Sequence, residues 1–596
     1  MYISKHMREI DHNGTTLLGI IGESVRAIGL FVCMLSSGLL ALSSLFVTYH
    51  NDLFDEITET LTLSAGFVQG ITTAIGVLLF AALLFLVSTI PVKHGVAHAV
   101  LVLVCVLATI GQLWWVFTLD AQSSYFSDSN QLMMYAKDLA TGTMSCFNSE
   151  QVPFDQMKSG TIYFTNYPYQ AGMLFYYYAF FTAFKNIAPT VIQLFNVAAN
   201  TASIVFLYLI GCCAIKRPGG RVILSIVLGG FIPPFLYSTM FYSNQVGLSF
   251  ALAYTALNVY ALKSASLTKQ RILCLVSFLP LSLALTIKST LVLIALAVIV
   301  VYGIYFLSSI SFSRFLTLVL AVLGFFFANT IASLPLAWLE GTLGYSLGEG
   351  IPKTAWIAMG LQNESVLGKE MSGWWNPYPN LLQEATNNDY QLMVNESVSE
   401  IGSRIAYFIS NPFECLVFFS RKLATEWLTP DFQANYFSSI NFTLIDGNEV
   451  QCFSTNASTI PAIQDYVKQT GEAWELISGL GVYLDCYQSS VYLFAFSGFL
   501  DMFRNRKALN CSILVLPCTF FVGIIVYFLW EAKAQYVMPF FMCLIPISVY
   551  GLLLIQKRGD CLATRPRHGV YRRFHVPTTR NQLDFDAQSS WSYGAC

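Results

Sequence analysis

The sequence predicts an all-α polytopic membrane protein with about 12 transmembrane helices. Only 11% of its 596 residues are charged, 55% are hydrophobic, and the mean hydropathy is +0.58. Soluble domains carry about 25% charged residues, so this composition excludes a soluble protein of similar length. The apolar residues also form separate runs of about 20, which is the length that a helix needs to cross a bilayer.

Two long polar segments interrupt the series of apolar runs. Residues 118–188 follow the third run, and residues 335–482 separate the ninth from the tenth. Loops of this length usually carry function or fold as small domains. The predicted spans, in chain order, are residues 28–48, 70–90, 97–117, 189–213, 221–240, 244–262, 271–287, 289–308, 314–334, 483–501, 510–530 and 536–555.

Lys and Arg residues predict how these spans are oriented in the cell membrane. With both termini in the cytoplasm, 21 of the 32 basic residues lie on the inner side, as the positive-inside rule requires. The acidic residues do not enter that rule, yet 27 of the 34 then fall outside, and both long loops are extracytoplasmic. The predicted organisation is a cytoplasmic N-terminus (1–27), a transmembrane hairpin (28–96), a transmembrane core (97–334), the large outer loop (335–482), C-terminal transmembrane helices (483–555) and a basic cytoplasmic tail (556–596).

Both outer loops contain a segment that is predicted to lie along the membrane surface. Residues 170–186 are rich in Tyr and Phe, which favour the membrane interface. A thirteenth crossing at this segment is the alternative, but it would move a cluster of basic residues to the outer side. Residues 411–427 alternate apolar runs with Arg421 and Lys422, a pattern typical of an interfacial helix that attracts anionic headgroups.

The outer face lacks the residues of several common kinds of active site. Of the seven histidines only His50 falls outside, so neither a Ser-His-Asp site nor a His-ligated zinc is expected there. The 14 cysteines form no CxxC pair, and Cys452 and Cys486 either pair with each other or remain free thiols. Because the sequence has no GxxxxGK[ST] phosphate loop, ATP-driven transport is disfavoured. No nucleic-acid partner is expected.

The outer segments are rich in acids, amides and aromatic rings. Trp374 and Asn376 lie together in the segment GWWNPYPN. Aromatic rings stack on the C–H faces of sugars, and amides bond sugar hydroxyl groups, so both residues are candidate sugar contacts. The same residue types also pack loops that rest on a membrane, which is the alternative role of this segment.

Motifs in the first outer loop resemble those of the GT-C superfold membrane glycosyltransferases, which include dolichyl-phosphate-mannose mannosyltransferase-like and Gram-positive bacterial members. In YFSDSNQLMMYAKDLATG, Asp128 matches the acid of the family's first outer loop. In YFTNYPYQAGMLFYYYAFF, Tyr167 and Pro168 match its YP pair, which leads into an interfacial helix. Residues 351–380 also look like the large outer loop of the Gram-positive members.

Two later motifs strengthen the same resemblance. TIKSTLVL, with Lys288, is similar to the family's lysine at the opening of a span. WEAKAQYVMPF is similar to the E-x-x-x-R-Y…P motif before the last span, with Glu531 and Tyr536 at matching positions. Gln535 stands where the family usually has Arg, which leaves Lys533 as the substitute cation.

The resemblance implies that a sugar passes from a polyprenyl-phosphate carrier to a cell-envelope glycan, lipid or protein acceptor. It implies that Asp128 is the catalytic base, with Asp120 as the second candidate and helix capping as the alternative role of Asp128. The spacing of the acids defines no ligand set for a divalent ion, Mg²⁺ or Mn²⁺, so that requirement stays open. The expected carrier-phosphate contacts are Lys288, Lys533, Arg421 and Lys422, and the expected substrate contacts are Tyr167, Gln170, Asn244, Trp374, Asn376, Glu531 and Tyr536.

Two other classes of function compete with the glycosyltransferase interpretation. A multi-pass transporter or lipid-carrier flippase also has about twelve spans, although only one predicted span is visibly broken, at Pro233 and Pro234. A sensor or scaffold would use residues 335–482 to bind cell-wall polymer. Formation of a glycosylated product separates the first interpretation from both alternatives.

Overall fold

The computed structural model describes residues 17–51, 61–118, 127–148, 159–242, 244–366, 369–445, 448–453 and 479–563. Within these residues α-helices predominate, and the strands form three separate antiparallel hairpins. The expected fold class is confirmed at this level: the chain is an all-α, multi-pass membrane protein.

The helices are numbered in chain order. Through the predicted core they are α1 (Leu17–Phe46), α2 (Phe67–Thr89), α3 (His94–Thr118), α4 (Ser127–Thr141), α5 (Ser145–Asn148), α6 (Gly160–Asn166), α7 (Ala171–Phe184), α8 (Ala188–Gly211), α9 (Pro218–Gly229), α10 (Pro233–Leu236), α11 (Asn244–Lys263), α12 (Leu267–Val276), α13 (Phe278–Ile287), α14 (Val292–Leu307) and α15 (Phe312–Leu343). The others are α16 (Lys353–Gly360), α17 (Tyr378–Ala385), α18 (Tyr390–Ser410), α19 (Pro412–Trp427), α20 (Ala434–Ser439), α21 (Gly479–Arg504), α22 (Cys511–Leu529), α23 (Ala534–Met542) and α24 (Leu544–Ala563). The hairpins pair β1 (Val47–Asn51) with β2 (Leu61–Ala65), β3 (Asn363–Val366) with β4 (Lys369–Ser372), and β5 (Ile440–Ile445) with β6 (Asn448–Phe453).

Most predicted spans coincide with helices that could cross a membrane. In the described part of the chain, nine helices are long and apolar enough to do so, and two bent helix pairs raise the number to eleven. The predicted span 483–501 lies in α21, which is not among them because its first turns carry Asp485 and Gln488. Helix α21 packs along both α1 and α24 inside the bundle. The total of twelve crossings, which counts α21 as one of them, stays a prediction.

The two ends of the helix bundle differ: the long loops pack at one end, and contacts of Arg side chains lie at the other. At the end that we call the loop end, residues 127–148, 159–187, 344–366 and 369–438 pack over the helix termini. At the opposite end, Arg26 Nη1 donates to the carbonyl of Arg506 (2.7 Å), and the Arg314 guanidinium lies 4.3 Å from the Tyr305 ring centroid. The predicted outer loops therefore share one end of the bundle, while the side of the membrane that this end faces stays a prediction.

Helix α7 lies across the loop end. Phe180 and Phe195 have ring centroids 4.9 Å apart, whereas a straight helix would separate these residues by about 22 Å, so the chain reverses direction between α7 and α8. Tyr178 packs on Trp338 near the end of α15, with ring centroids 4.8 Å apart. Gly172 abuts the main chain of Thr286 at the end of α13, where a Cβ atom would not fit. Helix α7 therefore packs against the ends of α13 and α15, and its placement at the interface rather than as a thirteenth crossing stays a prediction.

The span formed by α9 and α10 is broken, and buried amides stabilise the break. The two segments, which meet near Gly230 and Pro233, are bent by 45°. Gln193 Nε2 donates to the carbonyl of Thr239 (2.7 Å), and Asn196 Nδ2 donates to that of Met240 (2.8 Å). An unsatisfied backbone group in the hydrocarbon region costs several kcal/mol, which explains why α8 carries these polar side chains on one buried face.

A segment of the second loop enters the bundle, which the sequence did not predict. Residues 425–438 are all buried, and the Phe432 ring packs between Phe231 and Phe541, with centroids 5.9 and 5.0 Å away. Asp431 stabilises the turn that follows, because its carboxylate accepts from the backbone N–H groups of Gln433 (3.0 Å) and Asn435 (3.2 Å). We call residues 425–438 the buried loop.

The predicted surface helix 411–427 therefore needs a correction. Its first half does expose large apolar side chains, with Phe413 72% and Leu416 65% exposed. Its last turns instead turn inward, where Lys422 and Trp427 are both fully buried. An amphipathic pattern identifies one apolar face, but it does not distinguish lipid from protein as the partner of that face.

Candidate functional site

The candidate site is built around Lys288 at the loop end of the bundle. Lys288 has an extended backbone (φ −144°, ψ 101°) between the end of α13 and the single 3-10 turn that precedes α14. Its half-buried ammonium lies 4.7 Å from the centroid of the Tyr242 ring and 5.6 Å from that of Tyr536. Rings at these distances attract a cation through their negative faces.

Two acids from distant parts of the chain act on this ammonium. Burial lowers the pKa of Lys288 to about 8, while the negative charges of Asp128 and Glu531 oppose that shift and Lys533 adds to it. Asp128 lies in the first turn of α4 rather than at the residue before the helix. A carboxylate in the first turn still favours the helix dipole, so the stabilising role and the functional role are compatible.

Glu531 and Lys533 enter the site from the extended segment between α22 and α23. Both side chains are buried, and the Lys533 ammonium lies 3.8 Å from Glu531 Oε1. The two side chains therefore form an ion pair. Because it is buried rather than exposed, removing one partner would leave a costly charge behind.

A small cavity with several amide groups in its lining lies beside Lys288. Its volume is about 40 Å³, enough for about three water molecules. It is lined by Asn244, Gln245, Gln535 and Tyr536, and each of the three amides has a buried oxygen without a hydrogen-bond partner within the described residues. Buried polar groups are normally satisfied, so three unsatisfied amide oxygens around one cavity indicate a place where water or a polar ligand completes the bonding.

Tyr167 and Gln170 support the site from the first loop. Gln170 Nε2 donates to Tyr242 Oη, which fixes the ring beneath Lys288. Tyr167 Oη donates to Asn380 Oδ1 (2.9 Å) in the second loop, and burial raises the pKa of this phenol to about 12. The YP motif that the sequence singled out thus links the first long loop to the second.

The structure places Trp374 and Asn376 away from open space. Trp374 is only 3% exposed, packs with Met371 and donates from Nε1 to Thr425 Oγ1 (3.3 Å). Asn376 Nδ2 donates to Gln362 Oε1 (3.2 Å). Neither side chain faces the cavity beside Lys288, so both positions match the packing alternative, and a sugar contact there stays a prediction.

The two predicted cations of α19 also lie outside this cavity. Lys422 is 0% exposed, and its ammonium donates to the carbonyls of Gly360 (2.5 Å) and Trp530 (2.6 Å). Arg421 is exposed and acts electrostatically on Tyr49. Lys422 is therefore a packing lysine in this structure, because both carbonyl bonds are internal to the protein.

The remaining predictions concern residues beyond the described ones or groups that do not assemble. Asp120 lies outside the described residues, and so does the side chain of Cys452. Cys486 is a buried free thiol whose Sγ donates to the carbonyl of Thr73 (3.8 Å). In the described part of the chain, no three His, Cys, Asp or Glu side chains gather to hold a metal.

Sequence reasoning missed Tyr242 and Gln245 as members of the site. Both lie within two residues of Asn244 in the segment FYSNQ; the Tyr242 ring faces the Lys288 ammonium, and Gln245 lines the cavity. The signal that could have found them is the concentration of polar groups at a helix start that faces a lone lysine in an apolar region.

Comparison with known proteins gives no further assignment. No known family profile matches the chain, and no curated protein matches it.

Proposed function

We propose that the chain is a membrane glycosyltransferase that moves a sugar from a polyprenyl-phosphate carrier to a cell-envelope glycan, lipid or protein acceptor on the extracytoplasmic face. The observation that carries the proposal is that Asp128 and Glu531, from two distant segments, act electrostatically on Lys288, which lines a cavity with unsatisfied amides. The proposal includes twelve crossings with α21 as the tenth, and both termini in the cytoplasm.

The reaction needs a base on the acceptor side. The bond from the sugar C1 to the carrier phosphate oxygen breaks while a bond from C1 to the acceptor oxygen forms. The proton of the acceptor hydroxyl passes to the carboxylate of Asp128, and a positioned base of this kind contributes about 10²–10⁴-fold to the rate. The helix that carries Asp128 packs against α7, so the base is held by the first outer loop.

The leaving side needs positive charge. The carrier phosphate departs with the electron pair of the broken bond, and the Lys288 ammonium stabilises the charge that develops on it. The rings of Tyr242 and Tyr536 contact the ammonium and hold it in place. Lys533, which is positioned by its ion pair with Glu531, supplies a second cation. The amides of Asn244, Gln245 and Gln535 are suited to bond sugar hydroxyls.

The test uses the purified full chain in liposomes, with polyprenyl-phosphate sugars labelled in the sugar and cell-envelope extract as acceptor. We expect label to move into the acceptor fraction in the presence of the protein. Mass spectrometry of envelope glycans from cells with and without the chain identifies the sugar. Unchanged glycans, together with no transfer from any labelled carrier, would rule the proposal out.

A second candidate, a transporter or lipid-carrier flippase, is favoured by one specific observation. Besides α9 and α10, the pair α23 and α24 is bent, by 48°. Phe231 beside the first break and Phe541 beside the second both contact Phe432 of the buried loop. Discontinuous helices that face each other are typical of transporters. Movement of labelled carrier across the liposome membrane without formation of a glycosidic bond would favour this candidate.

A further inference from the structure

A second cavity, which is lined mainly by polar side chains, lies in the large loop, apart from the site around Lys288. It has a volume of about 320 Å³, within the range of small-molecule sites, and opens between α18, α19 and the start of β3. Its polar lining consists of Gln362, Asn363, Glu400, Arg404, Tyr407 and Glu414. None of these residues was a candidate in the sequence, and none belongs to the reaction proposed above.

The polar groups of this cavity are held in place by the surrounding structure. Gln362 Nε2 donates to Glu400 Oε1 (3.0 Å), while its Oε1 accepts from Asn376 (3.2 Å). Arg404 Nε donates to the carbonyl of Leu361 (2.9 Å). Asn376, which the sequence proposed as a sugar contact, therefore orients an amide of this cavity from behind.

Aromatic rings complete the cavity and fix its guanidinium. The Arg404 guanidinium carbon lies 5.1 Å from the centroid of the Tyr407 ring and 5.3 Å from that of Phe408. Below them, Phe408 and Phe418 pack with ring centroids 5.0 Å apart and are both buried. Because stacking and the bond from Nε hold the guanidinium plane, its terminal N–H groups are pre-organised to donate into the cavity.

The donor and acceptor groups indicate what class of ligand fits. Two carboxylates against one guanidinium give the cavity a net negative charge, which disfavours phosphate and other anions. Hydroxyl groups satisfy all of these partners at once, because they donate to carboxylates and accept from the guanidinium and the amide. An exposed tyrosine ring at the edge suits the C–H face of a sugar.

The cavity also adjoins the segment that carries Glu531. Leu361 follows Gly360, whose carbonyl shares the Lys422 ammonium with the carbonyl of Trp530. One turn away, Phe419 stacks on Phe528 with ring centroids 4.1 Å apart. A chain of sugar units bound in the cavity could therefore extend along the end of α22 toward Glu531.

We propose that this cavity binds a hydroxyl-rich saccharide, as the non-reacting part of a glycan acceptor. The role as acceptor rests on the proposed function, whereas the binding of saccharide does not. The site holds the glycan through Glu400, Arg404 and Glu414 while its terminal sugar reaches the Lys288 site.

The experiment measures binding without a donor, so turnover is not involved. The purified full chain in nanodiscs is applied to an array of neutral, amino-sugar and uronic-acid tetrasaccharides, together with cationic peptides. The affinity for the best-retained saccharide is then measured for Glu400→Gln, Arg404→Met and Glu414→Gln. The control is Glu396→Gln, one turn before Glu400 on an exposed part of α18 and outside the cavity. Thermal unfolding checks that every variant is folded.

We expect a neutral or amino-sugar tetrasaccharide to be retained, with affinity at least about tenfold weaker in each cavity variant and unchanged in the control, since each variant removes charged hydrogen bonds. Retention of only cationic peptides, of no saccharide, or of a saccharide equally by all variants would overturn the inference. A chain that binds saccharide but transfers none would contradict the proposed function alone. A chain that transfers sugar without binding here would contradict this inference alone.

Discussion

Two lysines at the loop end, Lys288 and Lys422, have similar electrostatics but different surroundings. Burial lowers the pKa of each to about 8, and nearby acids oppose the shift in both cases. The Lys422 ammonium donates to two main-chain carbonyls, whereas that of Lys288 faces aromatic rings and a cavity and has no hydrogen-bond or salt-bridge partner among the described groups. A perturbed pKa alone therefore does not separate function from structure, but the remaining bonding capacity of the group does.

The surroundings of Lys422 explain why a buried lysine is tolerated there. Gly360 and Gly373 allow close approach, since a Cβ on Gly373 would lie 2.7 Å from the carbonyl oxygen of Gly360 and 2.9 Å from the Lys422 side chain. Glu426, one turn along α19, is 0% exposed, and burial raises the pKa of its carboxyl well above its usual range while Lys422 opposes that shift. We call the contacts of Lys422 with Gly360 and Trp530 the lysine anchor, because they join the second loop to the segment before α23.

The largest expected effect concerns the acid near Lys288. Asp128→Asn should lower kcat by about 10²–10⁴-fold at an unchanged melting temperature, because the amide cannot take the acceptor proton. The matched control is Asp138→Asn on the same helix, where the native carboxylate accepts from Ser145 Oγ (2.8 Å) and Cys146 N (2.8 Å). That control should lose stability, by about 1–3 kcal/mol, and keep its rate per folded molecule. Equal rates for Asp128→Asn and wild type would remove Asp128 from the mechanism.

The lysine anchor should affect folding more than carrier binding. Lys422→Met should lower the free energy of unfolding by about 3–5 kcal/mol, because two buried carbonyls lose their donor and the buried Glu426 carboxyl loses the positive charge near it. The measurement is thermal or denaturant unfolding in detergent, with exposed Lys353→Met at the start of α16 as control. If Lys422→Met unfolds like wild type but loses affinity for the carrier, the contrast between the two lysines is wrong.

Lys288 should show the opposite behaviour. Lys288→Met should raise KM for the polyprenyl-phosphate donor by about 10–150-fold, the effect of losing one charge-assisted hydrogen bond of about 1.5–3 kcal/mol. Its unfolding should stay within about 1 kcal/mol of wild type, because no internal hydrogen bond of the described residues is lost. Exposed Lys137→Met on α4 is the control. If the Lys288 side chain only extends to bring its charge to the membrane interface, the KM for the donor will not change.

The pH dependence gives a smaller but specific effect. Since burial lowers the pKa of Lys288 to about 8, the charged fraction falls as the pH rises through that value, and kcat/KM should fall with it. Lys288→Arg keeps its charge to far higher pH, so its alkaline limb should move up by more than one pH unit. An alkaline limb that is the same in both proteins would assign the titration to another group.

The sequence predicted the parts of the site that carry a local physical signal. Lys288 interrupts a long apolar stretch, where a charge is costly without an interface or a partner, so its importance was visible without a structure. Asp128 and Glu531 could be proposed only through their motifs, since nothing local says that they act on the same lysine. The broken span was visible at Pro233, whereas Pro546, three residues after the second bend at Cys543, was not recognised as a break.

The misplaced residues show what a single sequence does not contain. Trp374 and Lys422 are chemically able to contact a sugar or a phosphate, yet their partners are Thr425 Oγ1 and two carbonyls contributed by other segments. The buried loop carries Asp431 and Gln433, so it has the composition of an exposed turn. Its burial depends on long-range packing against the two bent spans, and periodicity within the segment does not report that packing.

The central claim is that the carrier phosphate meets Lys288, and photo-crosslinking tests it most directly. The full chain in nanodiscs is irradiated with a polyprenyl-phosphate analogue that carries a diazirine next to the phosphate, and the labelled peptides are identified by mass spectrometry. We predict crosslinks to residues 242–248, 284–292 and 530–540, which an unlabelled carrier competes away. Crosslinks confined to α18 and α19, or unaffected by the competitor, would contradict the account.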